Sequence, residues 1–454
     1  MSEVKSVLTK DQITTLEEKV VTMLKEENDE VAQVAIDELM NMQESQEKAA
    51  QSLINIVNQF LLPFDQSLDI LSKIFNSYCN DIRMICLVAE ALEAARDIDD
   101  LNSSPSESPL FKQLVQKLSF ELKECGEEWR KYILSALATT TRLIGRQYDE
   151  MAYDTCKQLI AIDPEYPPYH YRFGLFCKTR GYFSEGMVAN QKGLSLLEEP
   201  AESYLWNLGI CATGARNGEV ALDIWKKIGC KIELGRFDLP EGGFPDCKVK
   251  LAERPLAERN STSDDPGLEE TIWIERLSPC HGIIRSVLYQ DLGVNYGDVI
   301  LTDGAPITYH KYGDEKIAVF PHLSTLIKFN YQLYDFVAVQ DEKNKIANIS
   351  TSLERDSIVY VHTENYRVLC DECWNDENSD HTHHSDETKN IVAGKVAAHP
   401  DISPSVLLSQ IDNALSGLTE CKFYSPHLAE LAGQKERAER ETLVFNQLNE
   451  LNQN

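Results

Sequence analysis

The chain has 454 residues, 43 % of them hydrophobic and 26 % charged, which is too much for one compact core and enough for about three. Forty-four basic against 73 acidic side chains leave a formal net charge of −29, which argues against a nucleic-acid binder and against a face held on anionic lipid. A charged partner would then be a basic one.

The richest apolar run, from Ser52 to Leu62, carries Asn55, Asn58 and Gln59 and stops at Pro63, so no membrane span is expected. Met1-Ser2-Glu3-Val4-Lys5 does not read as a secretory leader. Of the twelve cysteines only Cys370 and Cys373 are closely paired. Cys86, Cys156, Cys177 and Cys211 sit among apolar residues at helical spacing. The expectation is reduced, buried thiols in a cytoplasmic protein.

In chain order, residues 1 to about 240 read as helix. Asp11 and Asp29 are placed to cap the first two, with Leu16, Val20 and Leu24, then Val31, Val34, Ala35 and Leu39, on apolar stripes. Further helices are expected near 46–62, 66–78, 81–96 and 111–123, with the Ser/Pro-rich loop 102–109 as an internal boundary. From Gly242 the composition changes. Residues 241–269 read as a linker, ending in the polar run Asn260–Gly267. Val, Ile, Tyr and Phe then cluster between turn residues, and strands are expected near 270–276, 282–289, 298–302, 316–320, 333–340, 345–350, 357–363 and 391–397. Two helices, about 403–416 and 426–450, finish the chain, the second started by Ser425-Pro426. Its leucines are expected to dock it back on the chain, the alternative being to pair it with another copy as a coiled coil.

A repeat lies between 133 and 234. Gly174 and Gly209 are 35 apart, each after an apolar residue. Ala152, Gly186 and Ala221 form a second series, and glycines at 145, 181 and 218 mark turns. A small residue on the first helix of each pair lets the second approach closely, while Tyr169, Phe176, Trp206 and Trp225 fill the spaces between pairs. With two helices per period, units near 133–166, 167–200 and 202–234 resemble the tetratricopeptide repeat. Thr140, Cys156, Asn190 and Gly193 depart from that pattern. The resemblance implies a curved stack of helix pairs that binds a peptide or helix from a protein partner. Leu175 and Ile210 stand where one subset of the family carries an asparagine for a C-terminal carboxylate, so that mode is not implied. Groove residues expected to be exposed on first helices are His170, Arg172, Lys178 and Asn207.

Cys370-Asp371-Glu372-Cys373 precedes His381-Thr382-His383-His384. Two thiolates two residues apart, with imidazoles nearby, suit a tetrahedral zinc site in a loop spanning 370–384. The expected ligands are Cys370, Cys373, His381 and His383, in a structural role. Pro279-Cys280-His281-Gly282 places a thiol beside an imidazole, but sequence neighbours on a strand point to opposite faces, which disfavours a nucleophile–base pair. No Gly-x-Ser-x-Gly elbow, phosphate loop or His-Glu-x-x-His is present.

The expected architecture is multidomain α+β. An all-α region (1–130), the repeats (131–240), a linker (241–269), a β-rich domain (270–400) and C-terminal helices (401–454) follow in order. The expected function is a protein-interaction scaffold. The alternative is a metal-dependent or thiol enzyme in the β domain, with the repeats recruiting its substrate.

Overall fold

The computed structural model describes residues 10–41, 46–59, 61–95, 108–260, 262–312, 315–362, 391–418 and 420–453. The expected boundary loop at 102–109 falls largely outside them, as do all four expected zinc ligands. The chain divides into two units. One comprises residues 1–178, 185–208 and 259–264, and the other 179–184, 209–258 and 265–454.

The first unit is helical. Five amphipathic helices open it: α1 (Lys10–Lys25), α2 (Asp29–Met40), α3 (Gln46–Val57), α4 (Phe64–Ser77) and α5 (Ile82–Ala95). Then come α6 (Pro109–Glu124), α7 (Glu127–Leu143), α8 (Asp149–Ile162), α9 (Pro167–Arg180), α10 (Phe183–Ser195) and α11 (Glu202–Gly214), of which residues 179–184 and 209–214 belong to the second unit. Asp11 and Asp29 lie inside α1 and α2, and the residue preceding α2, Asn28, makes no side-chain cap bond. Ile36, Leu53, Ile54, Leu71, Leu92, Phe111, Leu118 and Ile133 share one core, and Leu134, Ala152, Cys156, Phe173 and Phe176 form the next. Such faces, apolar at every third or fourth position, stabilise a helix only when a neighbour covers them.

Helix pairing follows the small residues. A Cβ at Gly174 on α9 would collide with the Asn190 amide on α10. A Cβ at Gly193 would lie 2.8 Å from the Tyr204 ring on α11. Tyr204 in turn meets Tyr171 of α9, with ring centroids 4.6 Å apart. The turns before α8 and α10 use Gly145 and Gly181 at φ 119° and 78°, where a side chain would be strained. The expected linker is corrected here. Residues 259–264 are part of this unit: Asp264 accepts the Arg146 backbone N–H at 3.0 Å, and the Arg259 carbonyl accepts the buried Arg146 guanidinium at 3.4 Å.

In the second unit α12 (Gly218–Lys227) precedes a short hairpin, β1 (Glu233–Leu234) and β2 (Pro240–Glu241). Its N-cap, Asn217, accepts from Val220 N–H. The strands β3 (Cys247–Ala252), β4 (Glu269–Ser278), β5 (His281–Ile284), β6 (Val299–Thr302), β7 (Thr308–Tyr312) and β8 (Glu315–Ile327) form a sheet ordered β3-β4-β5-β6-β8-β7. Parallel pairing of Val249 with Phe320 closes β3 on β8, so five strands make a small barrel with β7 on its margin. Cys247, Val249, Leu251, Ile272, Ile274, Ile284, Ile300 and Phe320 fill it. The linker expectation fails at β3 too. Cys247-Lys248-Val249-Lys250-Leu251 alternates inside and out, the period of a half-buried strand.

A second sheet, ordered β10-β11-β9-β12 and antiparallel throughout, uses β9 (Gln332–Val339), β10 (Ile358–Val361), β11 (Ile391–Ala398) and β12 (Lys422–Tyr424). The strand expected at 345–350 is instead a short helix, α13 (Lys345–Asn348), whose Ile346 N–H is taken by the Gln340 side chain. Helices α14 (Pro404–Leu415), α15 (Pro426–Leu431) and α16 (Lys435–Gln453) complete the unit. Leu407, Leu408, Ile411 and Leu428 pack with Tyr334, Phe336, Val392 and Phe423. The single helix expected over 426–450 breaks at Gly433, φ 80°. Its second part docks on β9, β11 and β12, leaving Leu443 exposed.

Candidate functional site

Of the four residues expected to line a groove, three are not at the surface. His170 is 6 % exposed, Lys178 5 % and Asn207 5 %. The His170 imidazole Nε2 sits 2.8 Å from the Pro164 carbonyl at the end of the preceding helix pair. From Tyr204 to Thr213, every residue of α11 but Trp206 is buried. A helix apolar or small on all sides is one that its surroundings cover completely, and the period alone could not say which face stays open.

Arg172 differs. It is half-buried, and its Nη1 donates to the Ser135 carbonyl at 3.2 Å and to the Ser135 hydroxyl at 2.6 Å. The same hydroxyl lies 3.5 Å from a Glu90 carboxylate oxygen. Nearby, Arg142 Nη2 meets Glu93 Oε1 at 2.6 Å. Glu90 and Glu93 are on α5, Ser135 and Arg142 on α7, and Arg172 on α9. A polar ladder therefore runs across three helices of the stack, with Leu175, half-buried, one turn beyond Arg172. Ser135, Glu90 and Glu93 have no repeat signature, since no period singles out a polar residue whose partner is supplied by another helix.

Gly174, Gly186, Gly209, Ala152 and Ala221 are all buried. The Asn190 amide, which occupies the space over Gly174, donates to the Gly186 carbonyl at 2.8 Å. In the second unit a Cβ at Gly209 would lie 2.6 Å from the Trp225 ring. Asn190 and Trp225 each follow their glycine by sixteen positions. At the same offset after Thr140 comes Cys156, both of them buried. Where the first residue keeps a side chain, the second is small.

The thiol–imidazole neighbours have no route to solvent. Cys280 is fully buried and His281 is 1 % exposed. Burial pushes the Cys280 thiol up to about 12, against weaker opposing hydrogen bonds from Thr213 and Ser278, and brings the His281 imidazole down to about 4. The Ser278 hydroxyl, not the thiol, meets His281 Nδ1, at 2.5 Å, and it also accepts the Cys280 N–H. That leaves the Nε2 of His281 buried without a hydrogen-bond partner. A protonated thiol and a neutral imidazole sealed from water offer neither nucleophile nor accessible base. Among the described residues no His, Cys, Asp and Glu side chains cluster as metal ligands, and no helix is long and apolar enough to cross a membrane.

The class is therefore a helical-repeat array followed by a β-rich part, a five-stranded barrel and a four-stranded sheet with helices. No family model matches the sequence, and no curated protein does. Among solved structures, the chain is similar to PilW, described as a widely conserved type IV pilus biogenesis factor. The identity is 12 %, over 48 % of this chain and 91 % of PilW, with a TM-score of 0.35. It is similar to TTC0263, a thermophilic TPR protein of Thermus thermophilus, at 15 % identity over 39 % and 89 % of the two chains, TM-score 0.30. For the protein MamA the figures are 16 %, 36 % and 80 %, with a TM-score of 0.27.

Proposed function

We propose that the protein is an interaction scaffold whose stacked helix pairs dock a peptide or helix of a protein partner. The observation that carries this reading is the polar ladder Glu90–Ser135–Arg172, which crosses three helices and keeps Arg172 and Leu175 partly open to solvent. Repeats of this kind bury one face on each other and present the other as an extended surface. A partner segment lying along the ladder would meet a guanidinium, two carboxylates and an aliphatic side chain, which is enough for orientation as well as affinity. His170, Lys178 and Asn207 then act by holding the first helices in place. The net charge of −29 favours basic partners at long range and makes association salt-sensitive.

The test uses the full chain. Proteins retained by the wild type from an extract of its native source are compared with those retained by the double variant Arg172→Glu, Leu175→Asp, with circular dichroism melts as the control for folding. Loss of a discrete set of proteins from a variant that melts like the wild type supports the reading. Retention of the same set by that variant sinks it.

A further inference from the structure

We draw no further inference here: the strongest candidate, the groove of about 80 Å³ walled by Leu39, Ala49, Leu53 and Ile74 of α2, α3 and α4, carries nothing, because the Lys73 ammonium and Ser77 hydroxyl at its rim are engaged by Asp69 and by the Lys73 carbonyl and nothing in the structure shows what covers it.

Discussion

Gly209 and Trp225 fit together only because residue 209 has no side chain: a Cβ there would lie 2.6 Å from Cζ2 and 2.7 Å from Cη2 of the indole. The indole is fully buried. Alanine at a helical glycine gains about 1 kcal/mol of helix propensity, while overpacking a filled core costs about 1–3 kcal/mol. Gly209→Ala is therefore expected to lower stability by about 1 kcal/mol, and Gly209→Ala with Trp225→Phe to lose less than the two single changes summed. Denaturant midpoints of the four chains measure the coupling. Strict additivity would mean the two residues do not share that space.

Ser425 starts α15, but not with its side chain. Its hydroxyl donates to the Asp335 carbonyl at 2.7 Å and its buried N–H is taken by Glu441 at 2.9 Å. Glu441 also accepts from Arg437 at 2.5 Å, and Arg437 reaches Asp412 at 2.6 Å. Glu441→Ala orphans the N–H and is expected to cost about 2 kcal/mol. Glu441→Gln keeps an acceptor and should cost less. Equal losses from the two changes would remove the N–H bond from the account.

Four thiols are held protonated by burial. Cys86 and Cys280 are pushed up to about 12, and Cys156 and Cys247 to about 11. None should react with iodoacetamide at about pH 8 in the folded chain, and all should react in denaturant. Peptide mass spectrometry gives the readout site by site. Rapid native labelling of Cys280 would contradict its sealed position.

Buried imidazoles make stability depend on pH. Burial brings His281 down to about 4 and His322 to about 3 from an ordinary 6.5. The unfolded chain binds protons on these rings below about pH 6.5 while the folded chain does not, so stability rises with pH in that window. Their contribution is fully present above about pH 6.5 and is lost as pH falls toward about 4. His281→Leu also removes a buried Nε2 that has no partner. Midpoints at about pH 7, 6 and 5 should fall less steeply for this variant than for the wild type. An unchanged slope would mean His281 is already protonated or already exposed.

The zinc proposal rests on spacing alone, since Cys370, Cys373, His381 and His383 lie outside the described residues. One equivalent of zinc is expected in the purified chain, lost in Cys370→Ser and in Cys373→Ser. Metal analysis finding none in the wild type would end it.

Most helices were legible because each carries its own evidence: α4, α5, α6 and α14 begin and end within a few residues of where their apolar periods place them. The strand β3 was legible in principle, since Lys248 and Lys250 alternate with buried neighbours, but the polar run after it drew the whole stretch into a linker. β12 is three residues long, shorter than any pattern can declare itself. At 345–350 a β-like composition yielded to a helix because the Gln340 side chain satisfies a backbone N–H that a strand would have to pair elsewhere.

By itself, the sequence determined the repeat. Small residues recur every 34 to 35 positions because close approach of two helices admits nothing larger, and that constraint is local enough to be written in spacing. Which repeat residues face solvent is set by long-range packing. His170, Lys178 and Asn207 are buried while Arg172 stays half open. Burial of a side chain depends on what the rest of the chain places beside it, and a period of one helix turn says which residues share a face but never what covers that face.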